Sequence, residues 1–443
     1  MRKFISQYGV VFVLVLLCAY YSFSTLNPQH PADASTGRKL ASYITRQLPN
    51  ANVLIVVRDS DDDRTFAASI QRSLEDAGMK PLGVVAGEPR DVVVELRRLG
   101  ESGTNLDVIV THHASAQWTV LRGARLKELA NEFPSLANVQ VLKPSSYTWP
   151  TFLTRGNLLS IGNQVAVTAI IAIAMTMVII TAGIDLSVGS LMALSGVLAA
   201  WTIHRIAGDG DPGMMTLALA CFTAVLLSAS IGLLTGVMVT AFDIPAFIVT
   251  LAVMRIARGL AFKVADGPSP IGIESAALHS LSAGTLLGIP NPVILMVMLY
   301  ILAYVLMSHT ALGRYIYAVG GNPEAARLSG VPVKRVLLFV YAICGALAGL
   351  GGVMEASLFS VGNPNSGVGY ELQIVAAVVV GGTSLMGGKG KVLGTLVGAL
   401  ILAVISNGMY LTKVDSYTQM IVFGTLILIA VLLDQLKARR WKF

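Results

Sequence analysis

Residues 156–184 read GNLLSIGNQVAVTAIIAIAMTMVIITAGI, a stretch that contains no Asp, Glu, Lys or Arg. The hydrocarbon core of a bilayer is about 30 Å thick, and a helix needs about 20 predominantly apolar residues to cross it. Backbone hydrogen bonds in lipid must be satisfied internally, so an unbroken apolar run of this length indicates a helix rather than a barrel strand. The stretch therefore predicts a transmembrane helix.

The same pattern recurs along most of the chain. Of its 443 residues, 54% are hydrophobic and 13% are charged, whereas an ordinary soluble domain has about 25% charged residues. This composition excludes a conventional cytoplasmic enzyme, a disordered protein and a nucleic-acid-binding protein, although the net charge is +7. We predict a polytopic α-helical membrane protein with about ten transmembrane helices, centred on residues 5–23, 161–182, 187–203, 214–241, 247–264, 292–308, 336–355, 372–386, 392–409 and 418–433.

The basic residues predict how the chain crosses the membrane. With a cytoplasmic N-terminus and ten spans, 12 of the 18 Lys and Arg residues outside residues 27–150 face the cytoplasm, and only Arg155, Arg205, Lys263 and Lys413 flank the outer ends of spans. This bias follows the positive-inside rule. Both termini are therefore predicted to be cytoplasmic and residues 27–150 to be extracytoplasmic. A cleaved signal peptide is the alternative for residues 1–26, but Ala32-Asp33-Ala34 lies too far beyond the apolar run, which favours an uncleaved first helix.

Residues 27–150 have the composition of a soluble domain. They contain 14 Lys or Arg and 14 Asp or Glu residues, whereas the other 319 residues contain 18 and 11. From Asn52 onward, short apolar runs alternate with helical patterns, which is typical of a small parallel sheet covered by helices. We expect one doubly wound α/β lobe with strands at Val53–Val57, Leu82–Val85, Val108–Thr111 and Val139–Leu142 and helices at Asp61–Ala77, Pro89–Leu99 and Trp118–Phe133.

Two polar clusters lie at the predicted carboxyl edge of this sheet, where open parallel sheets bind ligands. Asp59–Asp63 follows the first strand, and helix capping at the next helix is the favoured interpretation of these carboxylates. His112 and His113 end the third strand, and neighbours on a strand point to opposite faces, so a shared metal ion is not expected. The three cysteines, Cys18, Cys221 and Cys344, all fall in predicted spans, so the outer segment has no disulfide framework.

Asp185 and Ser187 lie between the second and third spans, in GIDLSVGS at 183–190. A bare carboxylate in lipid costs several kcal/mol, so Asp185 must face water, a cavity or a helix N-terminus. Capping of the third span together with Ser187 and lining the inner end of a substrate pathway are both consistent with this position. One residue can do both.

The longest cytoplasmic loop, residues 311–335, contains a predicted short helix. Asn322 can cap it, Pro323 suits its first position, and Gly330 with Pro332 ends it. So short a helix is marginal alone, which favours a protein partner over a simple connector. The glycine-rich stretch at 381–390 lacks the order of a phosphate-binding loop, so we expect this chain to bind no nucleotide or other cofactor. Its glycines, and those at 345–352, instead suit close helix packing.

Several longer motifs resemble the permease subunit of ribose-, xylose- and galactose-type ABC sugar importers. They are GIDLSVGS at 183–190, DIPAFIVTLAVMRIARGLAF at 243–262, GRYIYAVGGNPEAARLSGVPV at 313–333, GYELQIVAAVVVGGTSLMGGKG at 369–390 and NGMYL at 407–411. The resemblance covers most of residues 151–443 and includes the first helix. The related branched-chain amino acid permeases differ where GIDLSVGS stands here, which favours a sugar. Family members pass quickly from the first helix to a segment like FLTRGNLLSI at 152–161, whereas here residues 27–150 intervene.

The resemblance implies a membrane subunit that translocates a monosaccharide and has no catalytic residues of its own. Its implied partners are an ATPase subunit that uses ATP and Mg, a second permease copy or close paralogue, and a periplasmic sugar-binding protein, all at the bacterial cytoplasmic membrane. The segment similar to the coupling helix that meets the ATPase consists of Asn322, Pro323, Glu324, Ala325, Ala326, Arg327, Leu328, Ser329 and Gly330. Hydroxyl-rich substrates need polar groups inside the membrane, and we expect Asp185, Ser187, Glu355 and Asn363 to line the pathway, with snorkelling to the surface as the alternative for Glu355.

Two other functions are less consistent with the sequence. An extracytoplasmic sugar sensor anchored by a permease-like membrane domain would need only one or two spans, whereas about ten are predicted here. A membrane enzyme or proton-coupled carrier would need clustered ionisable residues mid-span, and only the scattered Asp185, Glu355 and Glu371 are present. The predicted domains are therefore the first helix at 1–26, the α/β domain at 27–150 and a permease domain of about nine helices at 151–443.

Overall fold

The computed structural model describes residues 2–208 and 210–440 of the chain. It divides into two compact units, one formed by the residues up to Thr25 together with those from Pro150 onward, and the other by Leu26–Trp149. The predicted cytoplasmic C-terminus, at residues 441–443, lies outside the described residues.

The first helix, α1, covers Arg2–Ser24. It belongs to the first of these units, here called the membrane unit, and Leu26–Trp149, called the outer unit after its predicted position, follows. Its strands are β1 (Leu26–Gln29), β2 (Val53–Val57), β3 (Gly83–Ala86), β4 (Val108–Thr111), β5 (Gln140–Leu142) and β6 (Tyr147–Pro150). Its helices are α2 (Ala34–Gln47), α3 (Asp61–Asp76), α4 (Pro89–Glu101) and α5 (Gly123–Glu132).

A four-stranded parallel sheet in the order β3-β2-β4-β5 forms the centre of the outer unit. Every residue of β2 and β4 is buried, because apolar clusters cover both faces of the sheet. Two sequence predictions are corrected here. Helix α2, with buried Ala41 and Ile44, was not predicted, and the helix expected from Trp118 begins only at Gly123 because residues 115–117 and 119–121 form 3₁₀ turns.

The membrane unit continues with helices α6 to α17. They are α6 (Arg155–Ile180), α7 (Val188–Ala207), α8 (Met214–Ala241), α9 (Ala246–Val264), α10 (Ala276–Ala283), α11 (Asn291–His309), α12 (Ala311–Gly321), α13 (Pro323–Leu328), α14 (Val333–Phe359), α15 (Tyr370–Val380), α16 (Val392–Leu411) and α17 (Ser416–Arg440). The two-residue strands β7 (Ile271–Gly272), β8 (Thr285–Leu286), β9 (Ile289–Pro290) and β10 (Val361–Gly362) join some of them.

Within the described residues, 7 helices are long and apolar enough to cross a membrane: α6, α7, α8, α11, α14, α16 and α17. Helix α9 forms where the fifth span is predicted, but it contains Arg255, Arg258 and Lys263. The span predicted at 372–386 is wrong in its bounds, because α15 has 11 residues and stops before Gly381 and Gly382. At 1.5 Å per residue α15 is about 16 Å long, half of a membrane crossing.

Glycines bring the central helices of the membrane unit into contact, as the sequence predicts. A Cβ on Gly232 of α8 would collide with the Tyr341 carbonyl of α14, and a Cβ on Gly352 of α14 would collide with the Met192 carbonyl of α7. In lipid, such close approach replaces the hydrophobic effect as the source of helix association. Helix α14 is therefore the axis against which α7 and α8 pack.

Within the membrane unit, the residues that precede Leu26 contact those that follow Pro150. The Thr151 amide donates to the Thr25 carbonyl at 2.8 Å, and the Phe152 amide donates to the Thr25 hydroxyl at 3.1 Å. Tyr21 packs on Phe152 with ring centroids 6.1 Å apart, and its ring also lies against Gly408 of α16. The first helix thus belongs to the packed membrane unit.

Candidate functional site

Asp185 and Ser187 form a buried turn immediately before α7, and neither residue is accessible to solvent. The Asp185 carboxylate accepts from the Ser187 amide at 2.9 Å and from its hydroxyl at 2.6 Å, both through Oδ1. The expectation that the two residues cap α7 is corrected, because no side chain accepts from the first amides of that helix. The other carboxylate oxygen, Oδ2, is buried without a hydrogen-bond partner among the described residues.

Glu355 and Asn363 lie elsewhere, around the end of α14. Asn363 accepts from the Asn365 amide at 2.9 Å and so shapes the turn that follows β10. Glu355 is half-buried and interacts with the Ser366 side chain. Cys344 is the neighbour of Asp185 on α14, and Glu355 is eleven residues further along that helix, about 16 Å by helical rise. The structure therefore brings Asp185 and Ser187 into contact, whereas Glu355 and Asn363 have separate partners around the end of α14.

The chain between β10 and α15 is a break in helical structure inside the membrane unit. Gly362 packs against Gly196 and Val197 of α7, whereas Gly367 packs against Gly189, eight residues earlier on the same helix. These eight residues correspond to about 12 Å along α7. Non-helical backbone at such a depth is tolerated only where it is buried in protein or lines a water-filled cavity. Broken helices of this kind line substrate sites in many transporters.

Sequence reasoning missed the residue that holds this segment. Arg258 of α9 donates through Nη1 to the carbonyls of Pro364 and Ser366, each at 2.6 Å. Glu355 and Glu371 are its electrostatic neighbours. The sequence did contain a signal for this role of Arg258, which lies in the middle of a predicted span. An intramembrane charge requires a partner, so such an arginine is expected to hold another part of the protein.

The short helix predicted in the long loop is present as α13. Asn322 caps it by accepting from the amides of Glu324 and Ala325, both at 3.0 Å, and Gly330 follows with a φ of +85°. Glu324 and Arg327 form an ion pair on the solvent side, and each side chain is 67% exposed. Leu328 is 81% exposed beside them. Helix α13 thus presents a charged pair and an apolar side chain together on its surface.

The carboxyl edge of the outer sheet is occupied by side chains of the outer unit itself. Asp63 is buried and accepts from Arg58 Nε at 2.8 Å, and Asp59 accepts from Arg64 at 2.7 Å. His113 stacks on His30 with ring centroids 3.6 Å apart. Burial lowers the pKa of His113, and the adjacent His30 lowers it further. Asp59 and Asp63 are thus paired within the outer unit, whereas His113 Nδ1 is buried without a hydrogen-bond partner among the described residues.

A cleft of about 830 Å³ lies on another side of the outer unit, between α2 and residues 142–147. Lys39 and Lys143 line it together with Asp33. The Asp33 carboxylate caps α2, and hydrogen bonds from Ser35 and Thr36 lower its pKa to about 2. Among residues 2–208 and 210–440, no group of three or more His, Cys, Asp or Glu side chains is arranged to hold a metal ion.

Comparison with known proteins identifies the family. The model of the family described as "Branched-chain amino acid transport system / permease component" matches residues 157–431. The chain belongs to this family. It is therefore a transporter subunit rather than an enzyme, and a multi-pass protein of a bacterial cytoplasmic (inner) membrane.

Three relatives show how similarity is distributed. The ribose import permease protein RbsC of Escherichia coli K12 is 47% identical over 293 residues, 65% of this chain and 88% of the relative. RbsC of Haemophilus influenzae is 43% identical over 64% of this chain and 87% of its own length. The L-arabinose ABC transporter permease protein AraH of Azospirillum brasilense is 37% identical over 66% of this chain and 83% of its own length. No solved structure matches the chain.

Proposed function

We propose that this chain is the membrane-spanning subunit of an ATP-binding-cassette importer for a monosaccharide of the ribose, xylose or galactose class. The observation that carries the proposal is the 47% identity to a ribose import permease across 88% of that protein. Relatives named for D-allose and L-arabinose transport, each 37% identical, favour the same class of substrate. None of these three relatives is named as an amino acid permease, although the description of the family refers to branched-chain amino acid transport.

The arrangement in the membrane follows from the helices. We propose ten crossings, made by α1, the seven long helices, α9, and the broken segment together with α15. The apolar residues of α1, Gly9–Ser24, are too few to meet the length criterion alone, but packing on α16 supports it. The basic residues favour cytoplasmic N- and C-termini and an extracytoplasmic Leu26–Trp149 unit.

The proposed partners are an ATPase subunit, a second permease copy and a periplasmic sugar-binding protein. The exposed surface of α13, with Glu324, Arg327 and Leu328, supports contact with the ATPase, because a six-residue helix is marginal alone. ATP and Mg are assigned to that subunit. We propose that Glu355 and Asn363 line the pathway, which their position on either side of β10 supports. For Asp185 and Ser187 the support is the contact between Gly189, just after them, and Gly367 of the broken segment.

For the outer unit we propose a docking or gating role over the permease rather than high-affinity sugar binding. At the carboxyl edge of its sheet Asp63 is paired with Arg58 and His113 is stacked on His30, and its open cleft uses Asp33 as a helix cap. Small polar ligands bind well only where they are enclosed, and a single lobe leaves this cleft open. The alternative, a sugar sensor anchored by a permease-like domain, is not favoured.

Uptake by the reconstituted complex tests the proposed function. The chain is purified with its ATPase, incorporated into vesicles and presented with labelled ribose, xylose, galactose, allose, arabinose and leucine. We expect ATP-dependent uptake of at least one monosaccharide and none of leucine. Uptake of leucine alone, or uptake that continues without ATP, would refute the proposal.

A further inference from the structure

Arg258 occupies an unusual position for a cation. It lies in the interior of α9, a helix of 19 residues that starts at Ala246. Arg255 lies one turn earlier on the same helix and is exposed, whereas Arg258 is half-buried. A charged side chain at this depth is costly and usually functional, so the partners of Arg258 reveal what it contributes.

Those partners are backbone carbonyls of the broken segment. Pro364 and Ser366 lie in turns between β10 and α15, so regular secondary structure does not satisfy their carbonyls. One guanidinium nitrogen of Arg258, Nη1, donates to both carbonyls, each at 2.6 Å. An arginine is suited to this role, because it stays charged and has several donors in a fixed plane. Arg258 therefore replaces the hydrogen bonds that a continuous helix would make there.

The segment is bound tightly on its opposite side as well. Gly367 has a φ of +67° and Gly369 a φ of +80°, a conformation that favours glycine. A Cβ on Gly367 would collide with the Gly189 carbonyl of α7. Helix α9 through Arg258 and helix α7 through Gly189 thus hold the same few residues, and they define the shape of the break.

Two carboxylates flank this shape without being neutralised by Arg258. Glu355 and Glu371 interact with it electrostatically, but neither belongs to the ion pairs formed by the described side chains. Their oxygens are acceptors, which is what sugar hydroxyls require. Arg258 binds carbonyls instead, so these carboxylates are not held in an ion pair with it, although Glu355 also interacts with the Ser366 side chain.

We propose that Arg258 is a positioning residue for transport: it fixes residues 363–369 in the form that presents Asn363, Glu355 and Glu371 to the monosaccharide. The inference rests on the proposed function and deepens it. Loss of the guanidinium should release the segment and weaken the apparent affinity for sugar, while the energy-coupling surface at α13 is untouched.

The first test is transport by the reconstituted complex with the sugar that the wild-type protein takes up. We expect Arg258→Met to raise KM about tenfold or more, which corresponds to the loss of one hydrogen bond from a charged donor. Arg258→Lys keeps the charge without the planar fork and should give an intermediate KM. Arg255→Met is the matched control and should leave KM within about twofold of wild type, since Arg255 is exposed. Basal ATP hydrolysis should be unchanged in the control Arg255→Met.

The second test does not depend on the sugar. Val368 lies in the segment and is 71% exposed, so Val368→Cys reports on its mobility through the rate of reaction with a water-soluble maleimide in detergent. We expect the rate to change several-fold when Arg258→Met is added and to stay constant when Arg255→Met is added. The change must exceed that at the native Cys18, Cys221 and Cys344, which are measured in the parent protein.

The outcomes separate the two claims. A wild-type complex that takes up no monosaccharide would refute the proposed function, and the maleimide rate would then decide the role of Arg258 alone. An unchanged rate, or a wild-type KM in Arg258→Met, overturns the positioning role. If Arg258→Met does not accumulate in the membrane, Arg258→Lys decides: a raised KM supports the role and a wild-type KM overturns it.

Discussion

The surface of α13 allows a sharp test of energy coupling. Glu324 and Arg327 are replaced together by Ala, which removes the charged pair and leaves the Asn322 cap in place. We expect sugar-stimulated ATP hydrolysis to fall several-fold while basal hydrolysis and membrane insertion are unchanged. The reason is that charged groups at a protein interface contribute to both its affinity and its register.

The structure fixes how much stability the double substitution can cost. Both side chains are 67% exposed, and an i,i+3 pair on a helix surface contributes about 0.2–0.5 kcal/mol. The cap, worth about 1 kcal/mol, is retained, and alanine is itself a good helix former. The permease should therefore keep its thermal stability, so that any lost stimulation reflects the contact with the ATPase.

The assay measures ATP hydrolysis by the co-purified complex with and without saturating sugar and binding protein. Arg125→Ala with Glu128→Ala is the matched control, because these residues form an ion pair at the same spacing in α5 of the outer unit and are 53% and 62% exposed. Normal stimulation in the α13 variant, or an equal loss in the control, would refute the assignment of α13 as the coupling helix.

Three further predictions concern other parts of the chain. Isothermal titration of the full-length protein with pentoses and hexoses should show no micromolar binding by the outer unit. If micromolar binding is seen and the double substitution Lys39→Ala, Lys143→Ala in the cleft abolishes it, the outer unit is a sugar receptor instead. Asp185→Asn keeps an oxygen that accepts from Ser187 but removes the charge. Asp185→Asn and Asn363→Ala, made separately, should each slow transport in inserted protein. Wild-type rates in both variants would show that the pathway does not pass these residues. Gly232→Ala should lower the melting temperature of the detergent-purified protein by several degrees, because the added Cβ meets the Tyr341 carbonyl, whereas Gly259→Ala, where the Cβ meets no atom, should not.

The apolar runs and the glycines predicted most of the membrane unit because both signals are local. A run such as residues 156–184 specifies a helix wherever it packs, and α6 covers nearly all of it. The early end of α15 was not predicted, because residues 372–386 are as apolar as a true span and the stopping point depends on Gly381 and Gly382. Glycine at a helix end and glycine at a helix contact look the same in a sequence.

Prediction of the site was limited by contacts between distant residues. The carbonyls that Arg258 binds are 106 and 108 residues away along the chain, and no spacing rule connects them. Asp185 and Glu355 are both single carboxylates in apolar surroundings, so composition alone placed them in one group. In the structure Asp185 neighbours Cys344 of α14, and Glu355 is eleven residues further along that helix, about 16 Å by helical rise.

The contact between α1 and α16 has a consequence for biogenesis. Tyr21 of α1 rests against Gly408, but a ribosome that adds about 5–20 residues per second makes Gly408 some 20–75 s after Tyr21. During that interval Leu26–Trp149 and helices α6 to α15 are synthesised, and α1 lacks its contact with α16. The newly inserted helix must therefore be retained by its own apolar side chains, whereas α15, at half a membrane thickness, can enter only after α6 and α7 are in place. Because of the order of synthesis, α1 must be stable in lipid by itself, whereas α15 need not be.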